Sequence, residues 1–201
     1  MSPLEGNGST VMTRRLIVLI VAGEFVFAAM ATAWIWVRAL PVSITVEGYL
    51  PDTLVGVAAA GILVVLNLVV LRHLPDYPAI RSLRVYFYGT VQPLFTKLRA
   101  RDVLLISLAA GVGEELLFRG AIQSEAGPVV ASVVFGLAHM GERGAVTFGC
   151  WVMLMGGLLG WLAVWTGGVW APSVAHAVYD AAALAYCRWL CPVKHVSARR
   201  G

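Results

Sequence analysis

Apolar residues fall in long blocks along this chain, separated by short polar interruptions. The first block, residues 16–40, follows Arg14-Arg15 and carries Glu24 in its middle, with Trp34 and Trp36 near its end. Tryptophans there sit where an aromatic belt meets the membrane–water boundary. Further blocks cover residues 54–71, 103–123, 129–140, 147–165 and 169–190. Several reach or approach the roughly 20 residues that cross a bilayer as a helix. The pattern predicts an all-α fold, a polytopic helical membrane bundle of about six transmembrane segments.

The interruptions carry information of their own. Residues 1–13 are polar with Gly and Ser, which predicts a short mobile tail. A cleaved leader is the rival reading, because Ala31-Thr32-Ala33 is an A-x-A pattern behind a basic start; the apolar run to residue 40 is too long for it. Residues 41–53 read as a loop, and Ala126-Gly127-Pro128 and Thr166-Gly167-Gly168 as turns. Residues 72–102 mix Arg72, Arg81, Arg84, Lys97, Arg99 and Arg101 with Tyr86, Phe87, Tyr88 and Phe95. That mixture predicts a cytoplasmic helix lying in the headgroup layer rather than an RNA-binding patch. No internal repeat stands out.

Composition agrees with the blocks. Hydrophobic residues make up 59% of 201 residues, and the 21 glycines raise the apolar share to about 70%, against about 45–50% in soluble domains. Charged residues are only 13%, and mean hydropathy is +0.80. A soluble globule has nowhere to bury this surface, so cytosolic, disordered and nucleic-acid-binding classes are excluded. The three cysteines, Cys150, Cys187 and Cys191, signal neither a disulfide framework nor a Cys-based zinc site.

A net charge of +4 and a pI near 9.2 matter chiefly through their placement. Six alternating spans put 13 of the 15 basic residues on one side: Arg14, Arg15, the six of 72–102, Arg143, Arg188, Lys194, Arg199 and Arg200. The positive-inside rule then places both termini in the cytoplasm, with the chain in the cell (inner) membrane. Residues 1–15 and 191–201 are the expected cytoplasmic tails.

Charged and ionisable groups inside spans are costly and are functional candidates by default. Glu114, Glu115 and Arg119 lie in the third span, His139 ends the fourth, and His176 and Asp180 lie in the sixth. Glu115 and Arg119 are spaced i,i+4, which predicts a structural ion pair on one helix face. Glu114, turned about 100° away, is left for chemistry. Glu24 is an outlier, read as structural or without a role. A carboxylate and an imidazole converging in a low-dielectric site can activate a water. A second imidazole with Asp180 can polarise a carbonyl or stabilise an oxyanion. Together these groups make an amide-hydrolysis set without a Ser or Cys nucleophile.

Three motifs occur in order on separate apolar segments. Glu114-Glu115-Leu-Leu-Phe-Arg119 resembles the EExxxR motif of the CPBP family, the CAAX-protease and bacteriocin-processing (ABI) intramembrane proteases. Phe135-Gly-Leu-Ala-His139 resembles its FxxxH motif, and His176-Ala-Val-Tyr-Asp180 its HxxxN or HxxxD motif. The resemblance covers residues 100–190 as a protease core, with 16–99 as two N-terminal spans and the interfacial segment. It implies a glutamate-dependent membrane endopeptidase acting on a peptide or membrane-protein substrate. Glu114 and His139 would activate water, and His176 and Asp180 would form the oxyanion side. The prenyl-endopeptidase branch has Asn at the last position. An ionised Asp cannot donate as Asn does, so Asp180 is either protonated or orients His176.

No cofactor is expected. The alternative is zinc held by the Glu/His/His/Asp set, although no H-E-x-x-H is present. A second alternative is a scaffold or proton-coupled transporter with buried relay groups, which no pseudo-repeat favours. The expected partners are the substrate and the lipid bilayer, and no nucleic acid. Depth adds a geometric expectation. Glu114 lies about 17 Å beyond Val103 along a helix, near mid-bilayer. His139 ends a segment of 12 residues, too short to span alone, which predicts a water-filled funnel from the cytoplasmic side.

Overall fold

The computed structural model describes residues 3–42, 49–140 and 145–190. They form an all-α bundle with no strand among the described residues. α1 (Pro3–Arg38) and α2 (Tyr49–Arg72) precede a short pair, α3 (Pro78–Tyr86) and α4 (Gln92–Phe95), joined by a π turn, Phe87–Val91. α5 (Ala100–Glu115) runs through a second π turn, Leu116–Ile122, into α6 (Gln123–Ala138). α7 (Val146–Thr166) and α8 (Trp170–Ala185) follow, and α8 ends in a third π turn, Tyr186–Leu190.

Most of these elements are the apolar blocks of the sequence. Three of them, Arg14–Arg38, α2 and α7, are long and apolar enough to cross a membrane. Only 11% of the first apolar stretch is buried within the protein, and Leu19, Phe25 and Trp36 face outward. Outward-facing apolar side chains over a spanning length fit a lipid solvent.

Two boundaries differ from the sequence reading. The mobile tail expected over residues 1–13 is helical from Pro3 onward, where proline's fixed φ suits a first helical turn. The loop expected over residues 41–53 is shortened, since α2 already starts at Tyr49 and takes Pro51 into its first turn. The turn expected at 126–128 is a break inside α6. Gly127 adopts φ 82° and ψ 166°, and Pro128 then restarts the helix. The segment after it runs only from 128 to 138, with His139 as its cap.

Segment 72–102 carries α3, the first π turn and α4. Several of its basic residues serve the protein interior rather than free headgroup contacts. Arg84 donates to the carbonyls of Val70 (2.9 Å) and Leu74 (2.6 Å), closing the C-terminal end of α2. Arg72 donates to the Tyr186 hydroxyl at 3.0 Å. Phe87 packs with Leu71, Tyr186 and Cys187, so the first and third π turns meet beneath the bundle. At the opposite end Arg38 bonds Glu125 at 2.6 Å, tying α1 to α6. That bond holds the Glu125 carboxyl below the usual carboxylate range.

α5 is the pivot of the bundle, and two glycines on its opposite faces set the spacing. A Cβ on Gly111 would lie 2.8 Å from Ala177 Cβ and Ser173 O of α8. A Cβ on Gly113 would lie 2.5 Å from Glu24 O of α1. The neighbouring atom at Gly113 is backbone and cannot swing aside. Gly113→Ala should therefore push α1 off α5 at a cost of about 1–3 kcal/mol. Gly61→Ala, with nothing within 4 Å, should be neutral or stabilise by up to about 1 kcal/mol. Melting of the two variants in detergent checks the contrast, and equal melting temperatures would refute this packing account.

Candidate active site

The three motif-bearing helices converge. α5 supplies Glu114 and Glu115, the end of α6 supplies His139, and α8 supplies His176 and Asp180. Glu114 Oε1 lies 4.0 Å from His139 Nε2, and its Oε2 lies 3.7 Å from His176 Nε2. His176 Nε2 is also 3.7 Å from Asp180 Oδ2. All four side chains line one cavity of about 280 Å³.

Each histidine is oriented by the group behind it. His139 Nδ1 lies 2.8 Å from the Phe135 carbonyl, one helical turn back. A carbonyl can only accept, so Nδ1 carries the proton there, and in the neutral ring Nε2 presents a lone pair to the cavity. His176 Nδ1 lies 2.8 Å from Glu115 Oε1. The second carboxylate oxygen of Glu115 lies 3.1 Å from Arg119 Nε, and both side chains are fully buried. The Arg119 guanidinium stacks 5.0 Å over the Phe135 ring, whose edge packs against His139 at 4.8 Å. Glu115, Arg119 and Phe135 thus form a frame behind the two imidazoles.

The i,i+4 spacing that suggests a Glu115–Arg119 pair fits the distance between them. It does not reveal that Glu115 also holds His176, because that contact joins helices 61 residues apart. Sequence reasoning missed one cavity residue. Glu24 is buried, only 8% exposed, and lines the same cavity as Glu114. A carboxylate mid-way along an apolar run was the available signal, but nothing in the linear pattern ties residue 24 to residue 114.

The cavity walls are otherwise apolar, with Phe87, Phe95, Phe148, Trp151 and Met155 among them. Two walls come from the first half of the chain: Ile20 and Glu24 of α1, and Leu63, Asn67 and Leu71 of α2.

The chain is similar to known proteins over the segment that carries the motifs. A family model described as type II CAAX prenyl endopeptidase Rce1-like matches residues 96–182, a segment that holds all seven motif residues. Over residues 96–182 the chain is similar to this family. The Rce1-like segment is under half of the chain and ends two residues beyond Asp180. The chain is also similar to YpbD of Bacillus subtilis (strain 168), an uncharacterized protein, at 28% identity over 127 residues. That alignment takes in 63% of this chain and 64% of YpbD, so the chain spans under two thirds of the relative it matches. No solved structure matches.

Proposed function

We propose that this chain is a multi-pass membrane endopeptidase, with both termini cytoplasmic, that hydrolyses a peptide bond of a peptide or membrane-protein substrate through a glutamate-activated water. The observation that carries the reading is the convergence of Glu114, His139, His176 and Asp180 on one small cavity. The Rce1-like match over the same residues supports it.

The 4.0 Å between Glu114 Oε1 and His139 Nε2 is too long for a direct hydrogen bond and short enough for one bridging water. Such a water gives its proton to Glu114 while its oxygen attacks the scissile carbonyl carbon. Negative charge then develops on the carbonyl oxygen. His176, held through Nδ1 by Glu115, offers Nε2 on the opposite side and, when protonated there, donates to that oxygen. Glu114 returns its proton to the leaving amine. Asp180, 3.7 Å from His176 Nε2, completes the oxyanion side either as a protonated donor or by orienting the ring.

Among the described residues no three His, Cys, Asp or Glu side chains are arranged to hold a metal ion. The steps above use the chain's own groups.

The test compares N- and C-terminal peptides of membrane fractions between cells carrying wild type and Glu114→Ala. The expected result is a set of cleavage products found only with wild type, also produced by purified enzyme in the presence of chelators. An identical peptide set from both strains would sink the protease reading in favour of a scaffold or transporter. Asp180 can be tested on the same products. Asp180→Asn should keep cleavage within about tenfold, whereas Asp180→Ala should lose about a hundredfold or more. Equal loss in both would rule out a hydrogen-bonding Asp180.

A further inference from the structure

Glu24 has no part in the hydrolytic scheme, yet it lines the same cavity. The residue is more than nine-tenths buried, and its Oε2 has no hydrogen-bond partner. An unpaired buried carboxylate is costly, and such groups are ordinarily matched by a cation or by donors. No Lys or Arg lines the cavity, and the two imidazoles that do, His139 and His176, are held through Nδ1 by the Phe135 carbonyl and by Glu115. The nearest buried arginine in the frame, Arg119, is engaged by Glu115. Three carboxyl groups, those of Glu24, Glu114 and Asp180, therefore face a space walled by apolar and aromatic side chains.

We infer that Glu24 forms a subsite for a cationic side chain of the substrate, a Lys or Arg placed close to the scissile bond. The chemistry of the walls suits such a guest. A Lys or Arg side chain has an apolar stem that packs on Leu63 or Ile106, and a charged head that aromatic faces attract. Trp151, Phe148 and Tyr179 provide those faces on the lining. Placement is held by backbone, since Glu24 abuts Gly113, the residue immediately before Glu114; a Cβ on Gly113 would meet Glu24 Oε2 at 2.8 Å. A cation bound at Glu24 is thereby kept at a fixed offset from the attacking water. That offset selects which bond of the substrate is cut.

The substrate arm of this inference rests on the endopeptidase reading; the binding arm does not. Purified full-length protein in detergent is melted with hexylguanidinium and, separately, with the uncharged isostere hexylurea. Hexylguanidinium should raise the wild-type melting temperature by several degrees and hexylurea should not. The difference should vanish in Glu24→Gln and return in Glu24→Asp. A cooperative melt of Glu24→Gln without added probe shows that the variant is folded. Equal shifts with both probes, or a guanidinium shift that persists in Glu24→Gln, overturn the subsite. For the substrate arm, a peptide copying a wild-type cleavage site is made with Lys or with norleucine near the cut. Wild type should prefer Lys by about tenfold or more in kcat/KM, and Glu24→Gln should abolish that ratio. A ratio of one in wild type overturns the inference while leaving the endopeptidase reading intact. Absence of any Glu114-dependent cleavage removes that reading but leaves the binding result to decide the subsite.

Discussion

Glu114→Ala should lower substrate cleavage by about a hundredfold to ten-thousandfold, the range expected when a positioned general base is removed. Its folding should be nearly unchanged. Glu114 is not part of the frame that orders the site: His176 is held by Glu115 at 2.8 Å, and His139 by the Phe135 carbonyl at 2.8 Å. Both anchors survive the substitution, so the loss is one of chemistry. The expected pattern is a fall in kcat with KM little changed, because the carboxylate contributes to the transition state rather than to ground-state binding. Glu114→Gln should behave alike, since an amide keeps the shape but cannot take the proton from water. A Glu114→Gln enzyme with a tenth or more of wild-type activity would rule out the base role.

Arg119→Met should act in the opposite way, through stability first. The Glu115–Arg119 pair is fully buried, with Nε and Oε2 at 3.1 Å. Removing the cation leaves the buried Glu115 charge with only His176 as a partner, and breaking one side of a buried pair costs about 3–5 kcal/mol. For a chain of this size that is a melting temperature lower by roughly 10 °C. The double change Glu115→Leu with Arg119→Met should regain most of the loss, because no charge is left unmatched. It should nevertheless remain inactive, since His176 loses the acceptor for its Nδ1 proton. An Arg119→Met protein that melts with wild type would show that the pair is not what holds this frame.

Most of the architecture was legible because spans in a bilayer obey a coarse rule of length and apolarity. The blocks at 54–71, 147–165 and 169–190 coincide with α2, α7 and α8 to within a few residues. The motifs were legible for the same reason that i,i+4 spacing is informative: it fixes which side chains share a helix face. Contacts between helices were not legible. The approaches that bring α1 and α8 against the helix of Glu114 are made at Gly113 and Gly111. Nor did the sequence suggest that Arg72 and Arg84 would be drawn inward by a hydroxyl and two carbonyls, since orphan carbonyls at a helix end carry no residue signature.

The walls that α1 and α2 contribute to the cavity have a consequence for how this protein can be divided. The matched segment starts at residue 96, yet Ile20, Glu24, Leu63, Asn67 and Leu71 close the chamber from outside it. A chain cut down to that segment would retain every motif and lose the side of the chamber that faces them. The motif residues and part of the surface that surrounds them are thus carried by separate stretches of sequence. Exchanging residues 16–72 between relatives, with the motif helices untouched, is the natural way to graft one enzyme's preference onto another's chemistry.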